Sequence, residues 1–477
     1  MIKKNEKTKY IYYTLYIITL IILIFFVPVS SLDEISNLRF GIAPHEGCLW
    51  YKDCNILVLP FSAILTYIFT FFSHSIYMLR LLNAIIYFLT FYFLNKISQK
   101  YTTNNAFLFI SSLFFILLEA TFEIYYYDYN NLSFLLILII LYFIQKDALN
   151  YKNAFIIASV CCLLILTKHT TGFVFFLITT ISLFLKYYKE ESFNKKILFM
   201  LLVGIIYGIM TLSFLYFTDT LTDFFNLGFN TNFVSNIIID IRCVHSIIIL
   251  LSIIIILNIL NKKINKDKII VYLYWIGFLC IIFPIIDLKH LSYFILYAFM
   301  LININLLHYD IDKHKIINYI LTLIKYFLCC IYIFSLLFYA NFNNTKYLRY
   351  NDINNISGTL ISEDYYNNIQ TYKEYISKAD TYIISKKAIA YTTTTNQFNN
   401  YYDLLWNGNT GNNEPLEYVK ELINTDTNKN KYIFVSCDNE GNLLNNIYQW
   451  DINMDKYIDE HCLYIETKNN FRIYQIQ

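Results

Sequence analysis

Ser31-Leu32-Asp33-Glu34 follows directly on an apolar run that ends at Pro28, so two adjacent carboxylates stand where the chain leaves a hydrophobic segment. A carboxylate beside hydrocarbon is costly to desolvate, and acidic residues at such depth are more often functional than ordinary surface ones. Either could accept the proton of an attacking hydroxyl. A second acidic group, Glu119, Glu123 and Asp128, follows in the next polar stretch, with Asp128 inside Tyr127-Asp128-Tyr129-Asn130-Asn131. Arg80, Lys168, His169, Lys289 and His290 lie at the ends of apolar runs, where a cation can meet a phosphate at headgroup depth. Each has an ordinary structural reading as well. Acidic residues favour a helix start, lysines near span ends snorkel to headgroups, and Arg80 can anchor at the interface or pair with an acid of the first loop.

The elements that must hold these residues are membrane helices. The 477 residues are 57% hydrophobic, 19% aromatic and only 15% charged, with mean hydropathy +0.44; soluble domains carry about a quarter charged residues. Apolar runs occupy 10–28, 78–94, 106–118, 132–143, 154–166, 173–185, 197–217, 244–260, 269–286, 291–307 and 316–340. They predict about eleven transmembrane helices. The run 56–72, interrupted by Pro60, is ambiguous, and its status sets the topology of everything after it.

Lysine placement resolves the ambiguity. If 56–72 does not cross, Lys3, Lys4, Lys7 and Lys9 fall on the same side as Lys96, Lys100, Lys146, Lys152, the lysines of 186–196 and 262–268, Lys313 and Lys315. About eighteen lysines then face the cytoplasm against roughly six basic residues outside, as the positive-inside rule requires. The N-terminus is predicted inside and the C-terminus outside. Pro28-Val29-Ser30-Ser31 makes a poor cleavage site, so the first run reads as an uncleaved anchor. On this topology the unusual polar residues gather on the outer face, and Lys168 lies on the side that otherwise lacks lysines.

After Ala340 the chain becomes rich in Asn, Tyr and Asp. Strands are predicted at 381–385, 432–436, 463–467 and 471–476, the last two joined by a turn at Lys468-Asn469-Asn470, and helices at 364–378 and 414–424. The predicted fold is an all-α polytopic membrane domain over 1–340, with a catalytic first external loop at about 30–77, plus a small external C-terminal α/β domain over 341–477. Five of the ten cysteines, Cys161, Cys162, Cys280, Cys329 and Cys330, lie in apolar spans and Cys243 at an edge; Cys48, Cys54, Cys437 and Cys462 lie outside and could form two disulfides in an oxidising compartment, one of them tightening the first loop. No CxxC or clustered histidines indicate zinc. No repeat, nucleotide motif or nucleic-acid motif is present.

Asp33-Glu34 after a first span, Leu59-Pro60 in a following apolar segment, and Arg80-Leu81-Leu82-Asn83 opening the next span form an ordered set. Tyr127-Asp128-Tyr129-Asn130-Asn131 and Leu166-Thr167-Lys168-His169-Thr170-Thr171-Gly172 extend it. The combination resembles the GT-C superfamily of integral-membrane glycosyltransferases, the kind that includes dolichyl-phosphate-mannose-dependent mannosyltransferases and aminoarabinose transferases. One departure is that Pro60 stands alone where many relatives carry a Pro pair. The resemblance implies inverting transfer of a sugar from a polyprenyl-phosphate donor to a glycan, lipid or protein acceptor at the outer face of the plasma or inner membrane. It implies Asp33 as the base, with Glu34 its nearest rival, and Asp128 or Glu123 as a second acidic site. Lys168, His169, Arg80, Lys289 and His290 are then the donor-phosphate cations. Asp33, Glu34 and Asp128 offer oxygen atoms of the kind Mg²⁺ or Mn²⁺ takes, but nearby lysines can neutralise a phosphate unaided, and no cofactor is expected to be required. The rival class is a transporter or flippase of lipid-linked saccharides, whose inverted repeats and mid-membrane charges are not found here. A non-catalytic membrane scaffold is a third reading.

Overall fold

The computed structural model describes residues 2–477 except 30–31, 55–58, 102–105, 122–124, 229–237, 261–264, 280–284, 287, 307–345, 385–387, 398–414, 426–427, 429 and 438–449. Its N-terminal part is helical: α1 (Ile2–Phe26), α2 (Leu32–Ile42), α3 (Pro60–Thr70), α4 (Ile76–Gln99), α5 (Ala106–Thr121) and α6 (Tyr129–Ile144) come first. They are followed by α7 (Tyr151–Ile165), α8 (His169–Tyr187), α9 (Phe193–Phe217), α10 (Leu221–Gly228), α11 (Ile241–Leu260), α12 (Lys266–Gly277) and α13 (Leu288–Leu306). Polar caps set several starts: Ser75 accepts from Tyr77 N, Asp128 from Asn130 N and Asn131 N, Asn150 from Asn153 N, and Asn265 from Lys268 N. Each satisfies a backbone N–H that the helix itself leaves unpaired.

The expected count of eleven spans is not reached among the described residues. Three helices, α4, α8 and α9, are long and apolar enough to cross a membrane, and the other apolar helices described have 10–17 residues in their apolar stretches. The run 316–340 lies outside the described residues. The ambiguous run 56–72 yields α3, eleven residues long with Pro60 at its first position; at 1.5 Å per residue it extends about 16 Å, roughly half the hydrocarbon thickness. α6 is buried along nearly its whole length among α4, α7 and α8. α9 instead exposes Leu201, Ile205, Ile209 and Met210, the pattern of a face solvated by lipid rather than water.

The tail carries a four-stranded sheet of β5 (Thr381–Ile384), β6 (Tyr432–Ser436), β7 (Cys462–Lys468) and β8 (Phe471–Ile476) in the order β5-β6-β8-β7, after a small antiparallel pair, β3 (Tyr347–Arg349) and β4 (Leu360–Ser362). A two-residue parallel pair, β1 (Ile238–Ile239) with β2 (Ile285–Ile286), lies in the helical part. β5 and β6 are parallel and the remaining pairs of the tail sheet antiparallel. Helices α14 (Glu363–Ile376), α15 (Ala388–Thr394), α16 (Pro415–Asn424) and α17 (Trp450–His461) complete it. Asn469 turns the β7–β8 hairpin at φ 51, a left-handed conformation that asparagine tolerates.

One apolar cluster joins this tail to the first loop. Ile35, Leu38 and Phe40 of α2 share a core with Ile389 of α15 and Phe434 and Phe471 of the sheet. Val29 N donates to Leu360 O at 2.8 Å. α2 also lies tight against α3: a Cβ on Gly41 would come within 2.9 Å of the Thr66 carbonyl oxygen, closer than packed atoms approach, so only glycine fits.

The structure corrects one disulfide expectation. None of Cys48, Cys54, Cys437 and Cys462 is disulfide-bonded. Cys437 N donates to Asn470 O beside one end of β8, whereas Cys462 pairs with Ile476 at the other end. Six residues of strand separate these positions by about 20 Å, and a disulfide needs Cα atoms within about 7 Å. Alkylation of unreduced, denatured protein followed by peptide mass spectrometry is therefore expected to find Cys437 and Cys462 both modified. A Cys437–Cys462 linked peptide would contradict the observed sheet register.

Candidate active site

The two acidic residues of α2 have opposite environments. Glu34 is 3% exposed, and Arg80 grips it through Nε to Oε1 at 2.8 Å and Nη2 to Oε2 at 3.2 Å. Nη1 of Arg80 donates to Ile24 O at 3.2 Å and Val27 O at 2.7 Å, satisfying carbonyls where α1 ends. The guanidinium is 1% exposed with every nitrogen engaged. Arg80 is therefore a clamp joining α1, α2 and α4, not a donor-phosphate ligand, and Glu34 is its buried counter-ion, not a rival base. Asp33 is exposed, and the Tyr126 hydroxyl donates to its Oδ2 at 2.7 Å.

Tyr126 belongs to the short segment before α6 that gathers the rest of the site. Asn37 of α2 donates from Nδ2 to Tyr127 O at 3.1 Å, and the Tyr127 hydroxyl lies 2.9 Å from Ser62 Oγ of α3. Asp128 is buried and caps α6, its Oδ1 accepting from Asn130 N at 2.7 Å and Asn131 N at 2.9 Å. Asn130 in turn accepts the Lys168 ammonium on Oδ1 at 2.9 Å, and that ammonium stands 5.3 Å from the Tyr129 ring centroid. Asp33 and Lys168, 135 positions apart in sequence, thus engage the same segment, residues 126–130. Phe61 N of α3 donates to Leu166 O at 3.1 Å, which brings the start of α3 to the α7–α8 turn. Gly172 is needed there, because a Cβ would stand 2.5 Å from Ile165 Cα.

Beneath this layer lies a polar node at Asn131. Its Nδ2 donates to Asn83 Oδ1 at 3.0 Å and Tyr126 O at 2.8 Å, and its Oδ1 accepts from the Tyr293 hydroxyl of α13. The start of α13 is thereby tied to the start of α6. His290 sits half-buried one turn before Tyr293, and Lys289 is described by its backbone alone in the same first turn. Glu119, expected in a loop, lies inside α5 and is 1% exposed, bound by the Tyr87 hydroxyl and by Ser292 Oγ at 3.2 Å. Glu123 lies outside the described residues. The sequence reading missed Asn37, Tyr126 and Tyr293 entirely. Asn83, Asn130 and Asn131 stood within its motifs without a role; buried amides beside charged residues were the signal.

Among the described residues no group of three His, Cys, Asp or Glu is placed to hold a metal. No family model matches the sequence, and no curated protein matches it. Solved structures do. The crystal structure of ArnT from Cupriavidus metallidurans in the apo state superposes with a TM-score of 0.60 at 9% identity, covering 99% of this chain and 98% of that one. This chain has an ArnT-like fold. ArnT bound to undecaprenyl phosphate matches with a TM-score of 0.51 at 8% identity over the same shares. The ArnT likeness spans helical part and tail together and is one of fold.

The clamp can be tested apart from chemistry. Removing one partner of a buried ion pair strands the other, at a cost of about 3–5 kcal/mol. Glu34→Ala is expected to destabilise the detergent-solubilised protein by about that amount, read from thermal or denaturant unfolding, while Asp33→Asn leaves stability within about 1 kcal/mol. Equal effects of the two substitutions would contradict the assigned environments.

Proposed function

We propose that this protein is an integral-membrane glycosyltransferase that moves a sugar from a polyprenyl-phosphate donor to an acceptor hydroxyl or amine at the outer face of the membrane. The observation that carries the reading is an exposed carboxylate, Asp33, bonded by Tyr126 to the segment that also binds Lys168 through Asn130, at one end of an ArnT-like bundle. A carboxylate so placed takes the proton of the acceptor as it attacks the anomeric carbon. The leaving group is a phosphate, whose charge is met by cationic donors rather than by a general acid. Lys168 is that cation, with His169 at the first position of α8 beside it and His290 at the start of α13. A single displacement with the base on the acceptor side inverts the anomeric centre.

The donor class draws support from the ArnT neighbour that binds undecaprenyl phosphate; a polyprenyl chain would remain in lipid while its phosphate reaches Lys168. Lys168 supplies the charge balance, so a divalent ion is not required for turnover. Positive-inside topology places the site and the C-terminal α/β domain on the outer side of the inner or plasma membrane, with the N-terminus in the cytoplasm.

The test is release of polyprenyl phosphate from a panel of polyprenyl-phosphate-linked sugars by the purified protein in lipid nanodiscs, with membrane extract as the source of acceptors. Asp33→Asn is expected to lower kcat about 10²–10⁴-fold, the range of a lost general base, with donor binding retained. Lys168→Ala is expected to raise the donor KM, and a chelator is expected to leave the rate unchanged. Full activity in both variants would remove these assignments, and movement of the lipid-linked sugar across the bilayer without glycosidic bond formation would replace transfer by transport.

A further inference from the structure

The loop between α2 and α3 holds two thiols that nothing in the proposed transfer uses. Cys54 belongs to the apolar cluster that joins α2 to the tail and Cys48 packs against it, and an isolated bridge between Trp50 and Cys54 folds the loop back on itself. The backbone between them is closed on itself. Cys54 N and Asp53 N both donate to Leu49 O, at 3.3 and 2.9 Å, Asp53 Oδ2 accepts from Leu49 N at 2.7 Å, and Tyr51 N donates to Cys54 O at 3.0 Å. Tyr51 takes a left-handed φ of 69 to make the turn. Cys48 is half-buried and reachable, whereas Cys54 is 1% exposed.

We propose that Cys48 and Cys54 are a reversible disulfide-forming pair, a redox modification site in the first external loop. The backbone bond from Cys54 N to the carbonyl of Leu49, the residue next to Cys48, holds the two cysteines across one short closed turn, so a bond between them can form within the loop. Exposure assigns the roles, Cys48 being the attacking thiol and Cys54 the resolving one. The hydrogen bond from Cys54, and next the buried Arg39 guanidinium, pull the Cys48 thiol down to about 7 against the opposing effect of burial, so a large fraction is thiolate near neutral pH. The oxidant is a small-molecule or protein disulfide. Cys48 thiolate attacks one of its sulfurs and expels a thiolate, forming a mixed disulfide. Cys54, giving up its proton, then attacks Cys48 Sγ and expels the second thiolate. The pair loses two electrons and two protons, and the donor disulfide becomes two thiols.

The bond would staple a loop that bridges distant elements. Trp50 Nε1 donates to Phe40 O of α2 at 2.9 Å, Lys52 Nζ pairs with Asp219 Oδ2 beyond α9 at 2.7 Å, and the Tyr51 ring meets Phe224 of α10 edge-on at 5.3 Å. Oxidation therefore fixes the C-terminal half of α2 against the α9–α10 corner. The proposal does not depend on the transfer reading.

The experiment exposes the full-length protein in detergent to glutathione disulfide, alkylates the remaining thiols, and maps peptides with and without reductant. The expected result is a Cys48–Cys54 linked peptide, reversed by dithiothreitol, with Cys437 and Cys462 still alkylated. Cys54→Ser is expected to stop at a glutathione adduct on Cys48, and oxidation is expected to raise the unfolding temperature of the wild type but not of Cys48→Ser. Alkylation of both Cys48 and Cys54 in the treated wild type, or a persistent glutathione adduct on Cys48 with no internal bond, would overturn the proposal.

Discussion

The end of the helical bundle that carries Asp33 depends on the fork between Arg80 and Glu34. A guanidinium and a carboxylate removed from water lose more solvation than a single contact restores. Here two further carbonyls, Ile24 O and Val27 O, complete the arginine's donors. The fork therefore joins the end of α1, the start of α2 and the start of α4 at one buried point. Successive residues on a helix are turned by about 100°; with Glu34 committed inward, Asp33 faces outward, where Tyr126 meets it. The placement of the candidate base follows from its neighbour's burial.

A second constraint is the amide network under the site. Asn131 holds Asn83, Tyr126 O and Tyr293 at once, so the starts of α4, α6 and α13 are mutually fixed at a buried point. Buried hydrogen bonds are strong and expensive to leave unmade. That rigidity reaches Asp33 and Lys168 through Tyr126 and Asn130. From above, the tail sheet contributes Phe434 and Phe471 to the core around Leu38 and Phe40. α2 is accordingly packed between the helical part and the tail, not suspended in a loop.

Much of the architecture was legible in the chain. Strand periods in the tail located β6 and β8 at their observed residues, and the Lys468-Asn469-Asn470 turn joins β7 to β8. Asp128, expected as a second acidic site, is the N-cap of α6 in the structure, a position its residue type favours. Individual roles were less legible. Arg80 and Lys168 are both basic residues near the ends of apolar runs, yet one is fully enclosed and the other half-buried beside Asn130. Glu119 looked like a loop acid because hydropathy drops there, while Tyr87 and Ser292 from two other helices enclose it.

Composition and period alone determined the general character of the chain: an apolar helical protein of membrane type, a distinct polar tail with alternating strands, and the small set of charged residues available at the ends of the helices. Only the tertiary structure decided direction and partnership. Which of Asp33 and Glu34 is exposed, that Cys48 meets Cys54 while Cys437 and Cys462 stand at opposite ends of β8, and that Asp33 and Lys168 engage one segment all depend on contacts between residues far apart in the chain. Local pattern specifies a side chain's type and depth. The partner that turns it inward or outward comes from another element, and no local pattern encodes it.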